Sequence, residues 1–493
     1  MGKHTAVKVT IVIVVATWAC AGADVGAALT GCLARQGFSR ENVALGPSPA
    51  FQRALAAEHN RAIHATPLAF VFPADGTQVA TAVRCASNLS LPITARSGGH
   101  SYEAFSLVDG GVVIDLRSLT KVVVDASSQT AIVGAGNWLG RLYFLLQQAG
   151  GWVLPGGDCP GVGVGGHALG GGYGLLSRKF GLVVDAILQM TLVDARGRTS
   201  IVDQSSDPDL FWALRGAGAG NFGIVTEFLF RIVKAPPTLS IARYGYWSDA
   251  SVLPQLVAGF AGAAPDLPDE YTATLYVEPG NGAALTIARA GPRSGFRRGV
   301  AALLNALPPS DDGRATVQEF ASFGEMMFGS NYRAEYLLDA SAVRSSLKFK
   351  ATSVMIGDGV VGPTCVDALL DGRSVSPGTW FMMDVYGGAI ASVSPAATAF
   401  VHRWPRLINV QLYTSWANDN DAAARRATIS RWRASVARCA APTSSSAYQN
   451  YIDRSVPLEA YYGDEGLRRL RAVKRRLDPG NVWQFAMGVP AIL

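Results

Sequence analysis

Two glycine-rich stretches hold the residues best suited to chemistry. In Arg96-Ser97-Gly98-Gly99-His100-Ser101-Tyr102 a glycine pair precedes a histidine. Such a pair lets the backbone turn sharply and aim amides at an anion such as a diphosphate. The second stretch runs from Pro155 to Gly174 and sets Cys159 and His167 in a segment dominated by glycine. It contains a formal GxGxxG, Gly161 to Gly166, the fingerprint of a dinucleotide-binding turn. Context argues against that reading. The fingerprint needs a buried strand before it and a helix directly after it, whereas Pro160 precedes it and a further glycine run, hostile to helix, follows. The expectation is a loop that brings backbone amides against a flat, extended cofactor. No metal is expected, because there is no CxxC or HExxH and Cys159 and His167 supply too few ligands. Taken alone, a histidine after two glycines is more often a hydrogen-bonded loop residue than a reactive one.

The elements that must hold these stretches follow from periodicity. Leu68 to Phe72, Ile93 to Arg96 and Val112 to Leu116 read as short strands, with a helix from Thr77 to Ala86 between the first two. Lys121 to Gly134 and Ile187 to Val202 read as hairpins, and Trp138 to Ala149 as an amphipathic helix. Asp207-Pro208 starts a helix to Leu214, since Asp caps and Pro suits the first turn. Phe222 to Ile232 is an apolar strand. Pro236-Pro237 marks the domain boundary, because two prolines stop both helix and ladder. Beyond it, Leu239 to Trp247, Tyr271 to Val277, Leu285 to Ala290, Trp380 to Tyr386 and Leu407 to Trp416 read as antiparallel strands. Helices are expected at Val317 to Met327, Ala422 to Arg438 and Leu467 to Leu477. Along Ile408 to Ser415 the side chains alternate strictly: Asn409, Gln411, Tyr413 and Ser415 share one face, while Ile408, Val410 and Leu412 share the other. The apolar face should pack on helices and leave the polar one for a cavity or for solvent.

A chain of 493 residues, 49% hydrophobic and 16% charged, exceeds one core and argues for two packed domains without extended disorder. The first 23 residues read as a secretory signal: Lys3, His4 and Lys8, an apolar run from Val9 to Ala19, then small residues, with cleavage after Ala23. The run is too short for a membrane anchor, and Trp18-Ala19 is a poor lipidation context for Cys20. Loss of Lys3 and Lys8 takes the net charge from +6 to +4, too mild for a nucleic-acid partner, and Arg468 to Arg476 reads as a solvated helix face. Five cysteines remain. In an oxidising compartment Cys32, Cys85, Cys365 and Cys439 could make two disulfides, leaving Cys159 another task. Asn88-Leu89-Ser90 is a glycosylation pattern for a eukaryotic source.

Both clusters, together with later motifs, resemble the berberine bridge enzyme-like flavoproteins, whose FAD domain is of the p-cresol methylhydroxylase and vanillyl-alcohol oxidase type. The further motifs are Phe211-Trp212-Ala213-Leu214-Arg215-Gly216, Gly220-Asn221-Phe222-Gly223-Ile224-Val225-Thr226, Tyr448-Gln449-Asn450-Tyr451, Tyr461-Tyr462-Gly463 and Asp478-Pro479-Gly480-Asn481-Val482. Ala217-Gly218-Ala219 departs from the family's unbroken glycine run. The resemblance covers nearly the whole mature chain. It implies an α+β fold: a two-subdomain FAD-binding domain over residues 24–235 and a substrate domain with a helix-covered antiparallel sheet over 236–445. Residues 446–493 would return to the FAD domain.

The same resemblance implies FAD bonded covalently to His100 and Cys159. Arg96, Ser97, Gly98, Gly99, Ser101, Gly156, Gly163, Gly166, His167, Gly170, Gly223, Ile224, Val225 and Asn450 are implied as further cofactor contacts. The family's active-site Glu or Gln falls at Gln411, which can orient a hydroxyl but not take its proton, so a carboxylate base of the berberine-bridge kind is not expected. Tyr451 matches the tyrosine that acts as base in the family's oligosaccharide oxidases. Its ordinary pKa of about 10 requires a stabilised phenolate or proton transfer in concert with hydride departure. Tyr102 would stand by the flavin and touch substrate. Val162, three residues past Cys159, occupies the position that gates oxygen, where Val accompanies oxidase activity. The implied protein is a secreted oxidase, expected to be a monomer, without nucleic-acid partner or membrane span. It would pass hydride from an alcohol or hemiacetal, foremost the anomeric carbon of an oligosaccharide, to FAD and then to molecular oxygen, giving hydrogen peroxide. The alternatives are a secondary-metabolism oxidase of a phenolic, alkaloid or polyketide alcohol, and a flavin-loaded binding or defence protein. The family pairing also points to a Cys32–Cys85 disulfide, and less strongly to Cys365–Cys439.

Overall fold

The fold was obtained as a computed structural model that describes residues 25–313, 315–343, 347–357, 361–371, 378–440 and 446–491. The expected signal segment, residues 1–23, lies outside them. A four-stranded sheet opens the chain from β1 (Val43–Leu45), β2 (Ala69–Val71), β3 (Ile93–Arg96) and β4 (Val112–Asp115), in the order β1-β2-β4-β3. β2, β4 and β3 run parallel, so the chain must cross over between them. The helix Gly76–Asn88 makes one crossover, capped where Asp75 accepts from the Gln78 amide at 2.9 Å. It buries Val79, Ala82, Val83 and Ala86, and its Cys85 is bonded to Cys32.

Next come β5 (Val122–Asp125), β6 (Thr130–Gly134), β7 (Trp152–Val153), β8 (Ile187–Val193), β9 (Thr199–Val202), β10 (Ile224–Arg231) and β11 (Val233–Lys234). Five of these form an antiparallel sheet in the order β5-β6-β10-β8-β9, while β7 pairs with β11. Both expected hairpins and the helices Leu139–Gln148 and Pro208–Ala217 are present. One expectation fails. A six-residue helix, Val164–Leu169, forms inside the glycine run, with Val164, Ala168 and Leu169 buried. Tertiary packing outweighs the low helix propensity of its two glycines.

After Pro236-Pro237 the chain builds a seven-stranded antiparallel sheet from β12 (Leu239–Tyr246), β13 (Tyr271–Glu278), β14 (Gly282–Arg289), β15 (Gln318–Phe320), β16 (Phe349–Ile356), β17 (Thr379–Val385) and β18 (Ile408–Ser415), ordered β15-β12-β14-β13-β17-β18-β16. Ile408, Val410 and Leu412 pack with Phe381, Met383 and Val385 against Ile429, Trp432 and Val436 of the helix Ala422–Cys439. Cys365 and Cys439 are joined on this side. Two corrections apply here. The helix expected over Val317 to Met327 is a short strand followed by the helix Phe323–Phe328, capped by Ser322. β16 is buried on both faces and so lacks the alternation that would announce it.

The tail ties the halves together. The Tyr448 amide donates to Ser353 of β16 at 2.9 Å, and Asn450 donates to the carbonyl of His167 at 3.0 Å. The helix Glu459–Leu477 then places Lys474 in a buried pocket, where it donates to Asp478 and to the Asn221 carbonyl, each at 2.8 Å.

Candidate active site

One cavity is lined by the glycine-rich loops and by Tyr448 to Ile452 of the tail, and Tyr102 in its wall is tied to the seven-stranded sheet through Gln411. Its cofactor-side wall is mostly backbone. A Cβ on Gly98 would lie 2.3 Å from the Gly163 nitrogen, and one on Gly163 would lie 2.1 Å from the Gly98 nitrogen, so the two loops meet main chain to main chain. Ser97 steadies the contact by donating to the Ala135 carbonyl at 2.6 Å. Gly170 is equally confined: its Cβ would meet the Asn450 carbonyl oxygen at 2.1 Å.

Ser97, Gly98, Gly99, His100, Ser101, Tyr102, Cys159, Val162, Gly163, Gly166, His167, Gly170, Gly223, Ile224, Val225, Asn450 and Tyr451 all line this cavity. Three residues do not. Arg96 turns the other way, because its guanidinium donates to Asp115 at 2.7 Å and to the Ala54 carbonyl at 2.7 Å beneath the Phe70 ring. It therefore anchors the loop from behind. Gly156 sits one layer back, where a Cβ would strike the Tyr143 hydroxyl at 2.5 Å. Gln411 reaches the site through Tyr102, donating from Nε2 to the phenolic oxygen at 2.6 Å.

The two histidines named by sequence differ in setting. Burial holds His167 down at about 4, and its Nε2 accepts from the Gly157 amide at 3.1 Å, so the ring is neutral with its proton on Nδ1. His100 is stacked on His59, with centroids 4.3 Å apart and planes 10° from parallel. His59 carries no motif, and nothing in the local sequence singles it out. Cys159 is the free cysteine among the described residues and is open to the cavity. The neighbouring Asp158 carboxylate, together with burial, pushes its thiol well above the usual value.

Behind Tyr102, strand register builds a lattice of side chains. Asp384 lies opposite Asn409, Met382 opposite Gln411 and Trp380 opposite Tyr413, while Thr274 and Tyr276 of β13 sit beside Asp384 and Met382. Trp380 and Tyr413 stack at 4.4 Å, and Phe349 extends the aromatic surface at 5.1 Å from Tyr413. Tyr102 meets this cluster edge-on through Phe349 and stacks with Tyr451 as a parallel pair, 5.2 Å apart with planes 5° from parallel.

One member of this lattice, Asp384, is a carboxylate that no sequence motif marked. It is buried, accepts from Thr274 Oγ1 at 2.9 Å, and is pushed up to about 7 by burial, with Asp158 adding to the shift. Its charge reaches Tyr451, whose hydroxyl is held well above its ordinary value by burial first and by Tyr102 and Asp384 next. Among the described residues no lysine or arginine lines the cavity, so nothing cationic stands ready to favour a phenolate.

The backbone cradle and neutral imidazole suit FAD, and the comparisons agree. Residues 67–203 match the model of an FAD binding domain, and residues 447–490 match "Berberine and berberine like". The chain is 31% identical over 474 residues to berberine bridge enzyme-like D-2 of Nicotiana tabacum, covering 86% of this chain and 83% of the relative. It is 32% identical over 438 residues to a chitooligosaccharide oxidase of Gibberella zeae, covering 85% of this chain and 86% of that one. The solved structure of BBE-like 1 from Physcomitrella patens superposes with a TM-score of 0.87 at 34% identity, over 94% of this chain and 99% of that chain. The mixed fold, the cavity and these similarities lead to one assignment: the chain belongs to the berberine bridge enzyme-like family of FAD-linked oxidoreductases.

Proposed function

We propose that the protein is a secreted oxidase that removes hydride from the anomeric carbon of an oligosaccharide while His100 and Cys159 hold its FAD covalently. The observation that carries this reading is that Tyr102 and Tyr451 line the same cavity as the glycine cradle, His100 and Cys159, while the charge of buried Asp384 reaches the Tyr451 hydroxyl from behind. FAD, when bound, supplies the hydride acceptor and is returned to its oxidised form by oxygen, with release of hydrogen peroxide. Everything else falls to the protein. The Tyr451 phenol takes up the proton of the anomeric hydroxyl as hydride leaves and gives up its own phenolic proton in the same step, with Asp384, ionised above about pH 7, as the final acceptor. Tyr102, held by Gln411, orients the same hydroxyl. The stacked rings of Trp380, Tyr413 and Phe349 are a buried support for Tyr102, with Phe349 edge-on to it at 5.3 Å.

His100 and Cys159 both line the cavity, which supports a two-point attachment to the ring system, and Val162 lies in the wall beside Cys159. The similarity to a chitooligosaccharide oxidase supports the sugar class. Two disulfides support an oxidising compartment, and among the described residues no helix is long and apolar enough to cross a membrane. The parallel rings of Tyr102 and Tyr451 in the cavity wall also suit a planar phenolic or alkaloid alcohol, which is the second reading. Anaerobic bleaching of the flavin by cellobiose, lactose or xylo-oligosaccharides, with peroxide formed in air, is the expected result. Bleaching by aromatic alcohols alone would replace the first reading with the second, and colour released wholly into an acid supernatant would end the covalent assignment.

A further inference from the structure

Behind Tyr102 and Tyr451 lies an ion cluster that the reaction outlined above does not use. Lys350, on edge strand β16, is nearly buried and stands outside the cavity. Its ammonium donates to Glu103 Oε1 and, at 2.6 Å, to Asp453 Oδ1, and both carboxylates are closed to solvent. Arg454, half-exposed, donates from Nε to the other Glu103 oxygen at 2.6 Å. Ser455 adds its amide and hydroxyl to Asp453 Oδ1 at 2.9 and 2.8 Å. Burial works to raise the Asp453 carboxyl, but the charge and hydrogen bond of Lys350 outweigh it and hold the group below its usual range.

The positions of the two acids give the cluster its meaning. Glu103 directly follows Tyr102, and Asp453 is two residues past Tyr451, so one ammonium draws together the loops that carry the parallel rings. Asn60 secures the same junction, donating to the Tyr102 carbonyl at 2.7 Å and to the Phe349 carbonyl at 3.2 Å. Without the cation, two buried carboxylates would repel or take up protons, and the loops would part.

We propose that Lys350 is a positioning residue: by holding Glu103 and Asp453 together it sets Tyr102 and Tyr451 in the geometry that presents the Tyr451 hydroxyl to the donor. The inference rests on the reading of Tyr451 as proton acceptor. It predicts a kinetic signature different from that of a fold-only contact, because a misplaced acceptor lowers the rate at saturation, whereas a poorly folded fraction only lowers the yield of yellow protein.

The test uses the flavin-loaded full chain and cellobiose under anaerobic stopped flow. Lys350→Met is measured beside Lys350→Arg, and beside Lys350→Met/Glu103→Gln/Asp453→Asn, which removes the uncompensated charge should the single variant fail to fold. The limiting bleaching rate per bound flavin is expected to fall about 100-fold in both Met variants, the scale of a ~1 Å misplacement. The half-saturating cellobiose concentration should move less than about threefold, and Lys350→Arg should recover most of the rate. An unchanged rate per flavin in the Met variants overturns the proposal. A crystal structure of the triple variant reads the clamp without turnover: rings parted or tilted support it, and a pair intact at 5.2 Å overturns it. Tyr451→Phe in the same series separates the two claims. If it bleaches at the wild-type rate, the proton-acceptor reading fails, while the ring geometry still decides the clamp.

Discussion

The two walls of the cavity are built on opposite principles. The cofactor-side wall is main chain packed against main chain, with Gly98 and Gly163 so close that neither accepts a Cβ. The facing wall carries Tyr102 and Tyr451 and is backed by a lattice of side chains whose neighbours are fixed by strand register: Thr274, Asp384 and Asn409 in one row, Met382 and Gln411 in the next, Trp380 and Tyr413 in the third. A backbone wall leaves little room for gradation, since one methyl group must move a whole loop. A side-chain wall can be altered one group at a time. Its substitutions should therefore have graded effects on rate while the flavin stays in place.

The largest effect is expected on the backbone wall. Gly163→Ala places a methyl 2.1 Å from the Gly98 nitrogen and 2.3 Å from Ser97 Oγ, and neither loop can retreat without opening the cradle. The expected outcome is protein that lacks flavin colour, read from the ratio of flavin to protein absorbance. A yellow variant with normal loading would show that this wall tolerates change as the other does. Tyr451→Phe comes next. Removing the hydroxyl should slow anaerobic flavin reduction by about 10³-fold, within the usual range for a general base, and leave colour and melting temperature nearly unchanged. Reduction at the wild-type rate would move the proton acceptor elsewhere.

The same contrast explains what could be read in the sequence. A main-chain wall needs glycine, and glycine clusters are visible in one dimension, so the Arg96 to Tyr102 and Pro155 to Gly174 stretches announced the cofactor loops, with His100 and Cys159 marked within them. Helices and hairpins with clean periodicity and capping residues, such as those at Asp75 and Asp207, were legible for the same local reason. Asp384 was not. It is the sole charge in Thr379-Trp380-Phe381-Met382-Met383-Asp384-Val385, and its partners Thr274 and Asn409 join it only through the order β13-β17-β18. Arg96 misled for the converse reason: it stands in the loop motif, but the nearby acid Asp115 draws it into the core.

Asp384 gives the third test and carries a pH signature. Its carboxyl is raised to about 7, so it is protonated and unable to favour proton removal below that pH, and ionised above it. In the wild type the limiting rate of flavin reduction should rise through about pH 7 and level off above it. Asp384→Asn should lower the plateau by about 100-fold and abolish the rise. A rise that persists in the Asn variant would assign the titration to another group and remove Asp384 from the proton path.

The smallest effect belongs to Gln411, which touches the reaction through one hydrogen bond. Its Nε2 donates to the Tyr102 phenol at 2.6 Å, and it sits in the row beside Asp384. Gln411→Leu keeps the approximate volume and removes the donor. Tyr102 would keep its place, because its ring is still held against Tyr451 and Phe349, but its hydroxyl would be free to rotate. A hydrogen bond of this kind contributes about 1 kcal/mol net, which corresponds to roughly a fivefold loss in kcat/KM. The loss should fall mainly on KM, since Tyr102 orients the donor hydroxyl and Tyr451 accepts its proton. A loss of 10³-fold instead, matching Tyr451→Phe, would mean that the side-chain wall acts as a single unit and that its register, like the glycine contact opposite, admits no partial change.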